Sequence, residues 1–156
     1  MVNTSAYAKA VETKLSRSLL VAIAFLSLAG MMVSSISLQR HYAKSATSYC
    51  EFGEKFNCDI VNRSEYSSVM GIPVSLIGVA GYALLLALST FYRSRPETPT
   101  RLLMAAAAGL AFALYLTYIE AYVLTTWCIL CLTSLALIAA ITALSGVLKL
   151  RLATNS

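Results

Sequence analysis

Residues 128–148 read CILCLTSLALIAAITALSGVL, an unbroken run without a charged side chain. A helix crossing the hydrocarbon core of a bilayer needs about 20 consecutive, mostly apolar residues. This run therefore predicts a membrane-spanning helix that opens on a C-x-x-C pair. Three further stretches qualify, at residues 18–38, 72–92 and 102–124, and Glu120 is the only charged residue inside any of the four. The first run follows Lys14 and Arg17, as a signal peptide would. Its apolar stretch is longer than a signal core and no A-x-A-like site follows, so it reads as a retained span. The expected fold is all-α: a polytopic, four-helix transmembrane bundle forming one domain over residues 1–156, with a long outer loop at 39–71 between helices one and two. Structureless loops of that length are uncommon unless they have a task.

Composition excludes most other classes. The 156 residues are 58% hydrophobic and 12% charged, against roughly 45–50% and about 25% in ordinary soluble domains. A small globule cannot hide such an excess of apolar surface. Disordered chains, nucleic-acid binders and soluble enzymes are poor fits, and no nucleic-acid partner is expected. The net charge of +5 has a different origin. Lys9, Lys14 and Arg17 in the N-terminal tail, Arg93, Arg95 and Arg101 in the second link, and Lys149 and Arg151 at the C-terminus hold eight of the twelve basic residues. Four spans put these segments on one side. Basic residues collect on the cytoplasmic side, so both termini are expected there and the 39–71 loop outside. Attraction to anionic lipid can add to this.

That topology gathers all four cysteines, Cys50, Cys58, Cys128 and Cys131, at the outer face, where disulfides persist. Residues three apart share one helix face, so Cys128 and Cys131 can meet. At a helix start, free N–H groups and the positive dipole end favour a thiolate, the attacking species in disulfide exchange. The other readings are half a zinc site, a structural disulfide or two buried thiols. Cys50 and Cys58 flank residues 51–57 and can close as a disulfide, either a static staple or a reactive pair. Eleven residues separate the first span from Cys50. At about 3.3–3.6 Å each when extended, they cover roughly three helix diameters of about 10–12 Å. The loop pair can therefore reach the start of the fourth helix, and two dithiols that touch form a relay. A relay ending in a membrane needs an acceptor there. With no haem pattern, nucleotide fingerprint or metal-ligand cluster apparent, a lipid-soluble quinone (ubiquinone or menaquinone) in an apolar pocket between helices is the economical candidate.

In order and spacing, residues 50–137 resemble the bacterial branch of the vitamin K epoxide reductase family. The resemblance is carried by Cys50 and Cys58 with Asn57 and Asp59, then Val61, Asn62, Ser64, Tyr66 and Ser67. Gly71-Ile72-Pro73-Val74-Ser75 opens the second span and Trp127-Cys128-Ile129-Leu130-Cys131-Leu132 the fourth. The resemblance implies a quinone-linked thiol oxidoreductase of the bacterial inner membrane that supports disulfide formation. A separate thioredoxin-like thiol protein would reduce the Cys50–Cys58 pair, which would reduce Cys128–Cys131, with Cys131 facing the quinone. It also implies that Ser64 lies beside the quinone; a local loop hydrogen bond is its other reading. Animal members carry a tyrosine where this chain has Leu135 and a substrate-contacting asparagine where it has Val74. Both departures count against vitamin K epoxide as substrate.

Other residues carry two readings each. Glu120 is a possible accessory group handling protons or a partner, or a carboxylate meeting interfacial water. Trp127 is a pocket contact or a belt residue. Tyr115, Tyr118 and Tyr122 share a helix face that suits packing and interface anchoring. His41 reads as solvated surface, and Pro73 suits a first helical turn. Residues 98–100, with Pro99, read as a tight turn. Gly71, Ser75 and Gly78, like residues 105–108 ahead of Gly109, offer small faces for close packing. A monomer is expected, without a metal. The rival functions are a quinone or quinone-epoxide reductase serving a cofactor cycle, and a non-enzymatic protein whose sulfurs hold zinc or fixed staples.

Overall fold

The computed structural model describes residues 4–42, 53, 55–91 and 94–154, with side chains in the first helix from Thr13 onward. Four long helices dominate: α1 (Thr4–Tyr42), α3 (Val74–Thr90), α4 (Thr98–Ile119) and α5 (Ile129–Thr154). The short α2 (Cys58–Arg63), a 3-10 turn (Glu65–Ser67) and a two-stranded hairpin, β1 (Ser68–Val69) and β2 (Ile72–Pro73), lie between α1 and α3. A π turn (Glu120–Leu124) continues α4.

The four long helices contact one another as a closed ring in the order α1, α3, α4, α5. Three of them are long and apolar enough to cross a membrane, and α3 is a shorter apolar helix of 17 residues, at the lower limit of about 17–25 for a span. The bundle is thus an all-α, multi-pass membrane protein. Phe25, Met32, Leu84, Met104 and Leu114 face outward, where lipid makes their exposure favourable. Several serine and threonine hydroxyls within the spans find their partners on their own helices. Ser27 donates to Ile23 O at 2.8 Å, Thr117 to Ala113 O at 2.9 Å, Thr142 to Ile138 O at 2.7 Å and Ser145 to Ile141 O at 2.7 Å. An unmade hydrogen bond in hydrocarbon is costly, and this back-bonding to position i−4 lets serine and threonine sit in spanning helices.

The core is Ile23, Tyr82, Leu85, Leu102, Ala106, Ile138 and Ile141. Ile23 belongs to the first apolar run, so that run is a structural member of the bundle. Small residues admit their neighbours. A Cβ on Gly30 would lie 2.3 Å from the Tyr82 ring, one on Gly78 2.8 Å from Ser34 Oγ, and one on Gly109 3.2 Å from Ile138. Tyr82 then crosses the bundle, its hydroxyl donating to Ser134 O at 2.9 Å.

Several boundaries differ from the sequence reading. Ile72 and Pro73 form β2 and α3 begins at Val74, with Pro73 as its cap. The reason is the Met70-Gly71 turn: both residues have positive φ, 53° and 83°, the signature of a type I′ hairpin. Gly71 therefore turns the chain and does not join Gly78 on a helix face. Residues 98–100 are the first turn of α4, with Pro99 inside it, where its missing N–H costs nothing. Cys128 lies one residue outside α5, and its carbonyl accepts from Leu132 N at 3.0 Å.

Candidate functional site

At one end of the bundle the close of α1, the 55–67 segment and the turn from α4 into α5 come together. Backbone pairing does the first part. Phe56 and Trp127 form an isolated parallel bridge, with Trp127 N donating to Lys55 O at 2.8 Å and Asn57 N to Trp127 O at 3.2 Å. Parallel pairing sends both chains the same way, so residues just past the bridge stay side by side. Those residues include Cys58 and Cys128. Both are fully buried, in one cluster with Val61 and with Leu124, Leu130 and Cys131 packed against it.

Helix α2 is anchored in three ways. Asn57 caps it, its Oδ1 accepting from Asp59 N at 3.0 Å and Ile60 N at 3.2 Å, the usual role of asparagine before a helix. Arg40 at the end of α1 faces Asp59 at 3.8 Å, both side chains largely buried. Asn62 supplies the third anchor. Ser37 donates to its Oδ1 at 2.6 Å, and its Nδ2 donates to Cys58 O at 2.9 Å and faces Cys128 Sγ at 4.0 Å. His41 Nδ1 lies 2.6 Å from the Asn62 carbonyl and 3.4 Å from Ser67 Oγ. His41 is therefore a half-buried strut between α1 and α2, a correction to its reading as solvated surface. The polar network makes the difference, because it gives the ring partners that periodicity does not reveal.

The sulfurs stand as follows. Cys128 and Cys131 are free thiols, and Cys58 is disulfide-bonded. Cys50 lies outside the described residues. The Cys128 thiol, just outside the spanning helix, is held below its ordinary pKa. The main cause is the hydrogen bond from Cys131, helped by the Cys131 and Leu130 backbone N–H groups; burial and the nearby Glu120 oppose it. The N–H groups at the helix start thus contribute, but the neighbouring thiol is the larger cause.

Below the sulfurs lies a cavity of about 370 Å³. Its walls are largely apolar, with Val74, Phe112, Leu116 and Ile138 among them, and Ser64, Glu120 and Cys131 also line it. The volume falls in the range of about 300–1,000 Å³ common for small-molecule sites. An apolar chamber with a thiol in its wall and a few hydroxyls suits a flat, apolar ring bearing carbonyls. The Ser64 hydroxyl donates to Val61 O at 2.8 Å, the local loop bond, while still facing the cavity. Trp127 is not among the lining residues; its backbone serves the bridge to Phe56. Tyr115, Tyr118 and Tyr122 are exposed, the last two with ring centroids 4.9 Å apart. Glu120 does not meet interfacial water: it is 2% exposed, and its Oε2 accepts from Cys128 N at 3.1 Å. The π turn draws it inward, its backbone carbonyl taking N–H groups from Thr125 and Thr126. Among the described residues, no three His, Cys, Asp or Glu side chains gather as metal ligands.

Sequence reasoning assigned no role to Ser37, Arg40 or Asn62. One signal was available. Ser37, Arg40 and His41 are polar groups three and four apart at the end of an apolar helix, a face that needs partners.

A membrane helix bundle with a C-x-x-C thiol pair at its rim, a third sulfur beside it and an apolar chamber beneath belongs to the membrane oxidoreductases of thiol and quinone chemistry. The sequence model of the vitamin K epoxide reductase family matches residues 21–145. That covers most of the chain, and the protein belongs to the vitamin K epoxide reductase family, whose members are quinone-linked in general.

Proposed function

We propose that the protein carries electrons from a thioredoxin-like thiol partner outside the cytoplasm to a membrane quinone, and so supports disulfide formation. The observation that carries this is the burial of Cys58 and Cys128 in a single cluster above a cavity lined by Cys131. A thiolate of the reduced partner attacks Cys50 and breaks its bond to Cys58; the partner's second thiol then displaces Cys50, leaving the partner oxidised and the loop reduced. Cys58 attacks Cys128 and expels Cys131, and Cys50 closes back onto Cys58. Two electrons have then passed to the C-x-x-C pair. A bound quinone supplies the acceptor for the two electrons and two protons that this dithiol gives up. Val61, Ser64 and Leu130 would hold its ring beside Cys131.

The pairing of Cys50 with Cys58 is part of the proposal; Cys50 is the remaining cysteine in the chain. Val74 in the cavity wall offers no hydrogen bond, which favours a quinone over an epoxide as the bound substrate. We also place both termini in the cytoplasm of a bacterial cell and the sulfurs outside. Quinone reduction by purified protein supplied with a reduced thioredoxin-like protein tests the reading. Full turnover after Cys131→Ala would sink it, and so would reporter fusions that put residues 55 and 126 in opposite compartments.

A further inference from the structure

Glu120 is a carboxylate within a spanning helix, 2% exposed. It takes part in neither of the ion pairs Arg40–Asp59 and Glu97–Arg101. Holding an acid inside a membrane is costly, and such groups mark proton paths more often than packing. Its surroundings show what it serves. Oε2 accepts from Cys128 N at 3.1 Å. The Cys131 thiol lies against the same carboxylate. Oε1 is buried with no hydrogen-bond partner among the described residues, and the side chain lines the cavity with Cys131. The other titratable groups lining that cavity are Tyr66 and Tyr82, and the Tyr82 hydroxyl is engaged with Ser134. A group that caps one cysteine, lies beside the other, has one buried oxygen unpaired and lines the chamber is placed to move a proton between sulfur and chamber.

We propose that Glu120 is the acid–base residue of the C-x-x-C pair, exchanging protons with Cys131. The inference rests on the relay described above. When Cys128 is attacked, the S–S bond to Cys131 breaks and Cys131 leaves as a thiolate. Protonated Glu120 delivers a proton to that sulfur and is left as the carboxylate. When the dithiol is oxidised, the S–S bond reforms and two electrons pass to the quinone. The Cys131 proton moves to the carboxylate and on to the reduced acceptor through Oε1. The Cys128 proton leaves to solvent, which supplies the acceptor's second proton and reprotonates Glu120, so the cycle balances and Glu120 ends as it began.

The test needs no quinone. Full-length protein, oxidised at Cys128 and Cys131, is reduced by excess dithiothreitol in a stopped-flow cell. The signal is the fluorescence of Trp127, the single tryptophan, which adjoins Cys128. Loss of acid–base assistance is commonly worth about 10²–10⁴-fold, so Glu120→Gln should slow the reaction about 100-fold. Glu120→Asp, which retains a carboxyl, should recover part of that loss, and it carries the test if the Gln variant fails to fold. In steady-state quinone reduction the Gln variant should lower kcat with little change in KM. Equal rates in wild type and Glu120→Gln, or an Asp variant as slow as the Gln variant, would overturn the proposal. Wild-type protein that reduces no quinone would sink the relay instead, while this quinone-free comparison still decides the role of Glu120.

Discussion

Asn62 Nδ2 faces Cys128 Sγ from 4.0 Å across 66 positions of sequence, while the same amide donates to the Cys58 carbonyl at 2.9 Å. One side chain thus spans the two segments whose sulfurs would exchange in the proposed relay. Its own orientation is set by Ser37 at 2.6 Å. A tether of this kind acts on geometry, keeping the two segments side by side.

Replacing Asn62 with leucine should therefore slow the Cys58-to-Cys128 transfer more than the reaction with the partner. The lost bonds are worth about 1–2 kcal/mol, or roughly 5–30-fold in rate. Rapid quenching with an alkylating reagent, followed by mapping of the trapped disulfides, separates the two steps. A variant that slows both equally would contradict the tether.

Cys128 is held below the ordinary thiol pKa chiefly by Cys131. In reduced protein its alkylation rate should track the thiolate fraction and stay high below pH about 8.5, the usual cysteine value. Lowering the pH through the depressed pKa should quench it. Cys131→Ala removes the main stabilising bond, so the midpoint should move up. Iodoacetamide kinetics across pH, read by mass spectrometry at Cys128, make the measurement.

Gly81 lines the cavity, and a Cβ there meets nothing within 4 Å. Gly81→Leu adds bulk at the cavity wall and should compete with a bound ring. We expect KM for quinone to rise about 10-fold, the effect of displacing roughly 1.4 kcal/mol of apolar contact. Reduction of the C-x-x-C pair by dithiothreitol should not change. Unaltered KM would mean that the ring binds elsewhere.

Gly30 makes the opposite case. A Cβ there would lie 2.3 Å from the Tyr82 ring, in the middle of the core. Gly30→Ala should cost about 1–3 kcal/mol through overpacking, seen as a lower unfolding temperature in detergent. Pairing it with Tyr82→Leu should recover part of the loss, since the two changes share one contact.

Breaking the Arg40–Asp59 pair should loosen α2 from α1 without unfolding the bundle. Removing one partner of a buried pair costs about 3–5 kcal/mol; at 3.8 Å and with Asp59 partly exposed, the lower end applies. Arg40→Met should raise hydrogen exchange at Asp59, Val61 and Asn62 while leaving α4 protected.

The amino-acid sequence alone determined the spanning helices and the spacing of the C-x-x-C pair. Hydropathy is local: runs such as 128–148 leave water whatever surrounds them, and the three-residue spacing fixes a shared helix face before any packing occurs. Tertiary structure decided which groups meet. The Phe56–Trp127 bridge, the turning of His41 into a strut and the burial of Glu120 by a π turn have no periodicity to announce them. The first two depend on hydrogen bonds between segments distant in the chain and the third on bonds within residues 120–128, formed because a polar group shut away from water must find a partner.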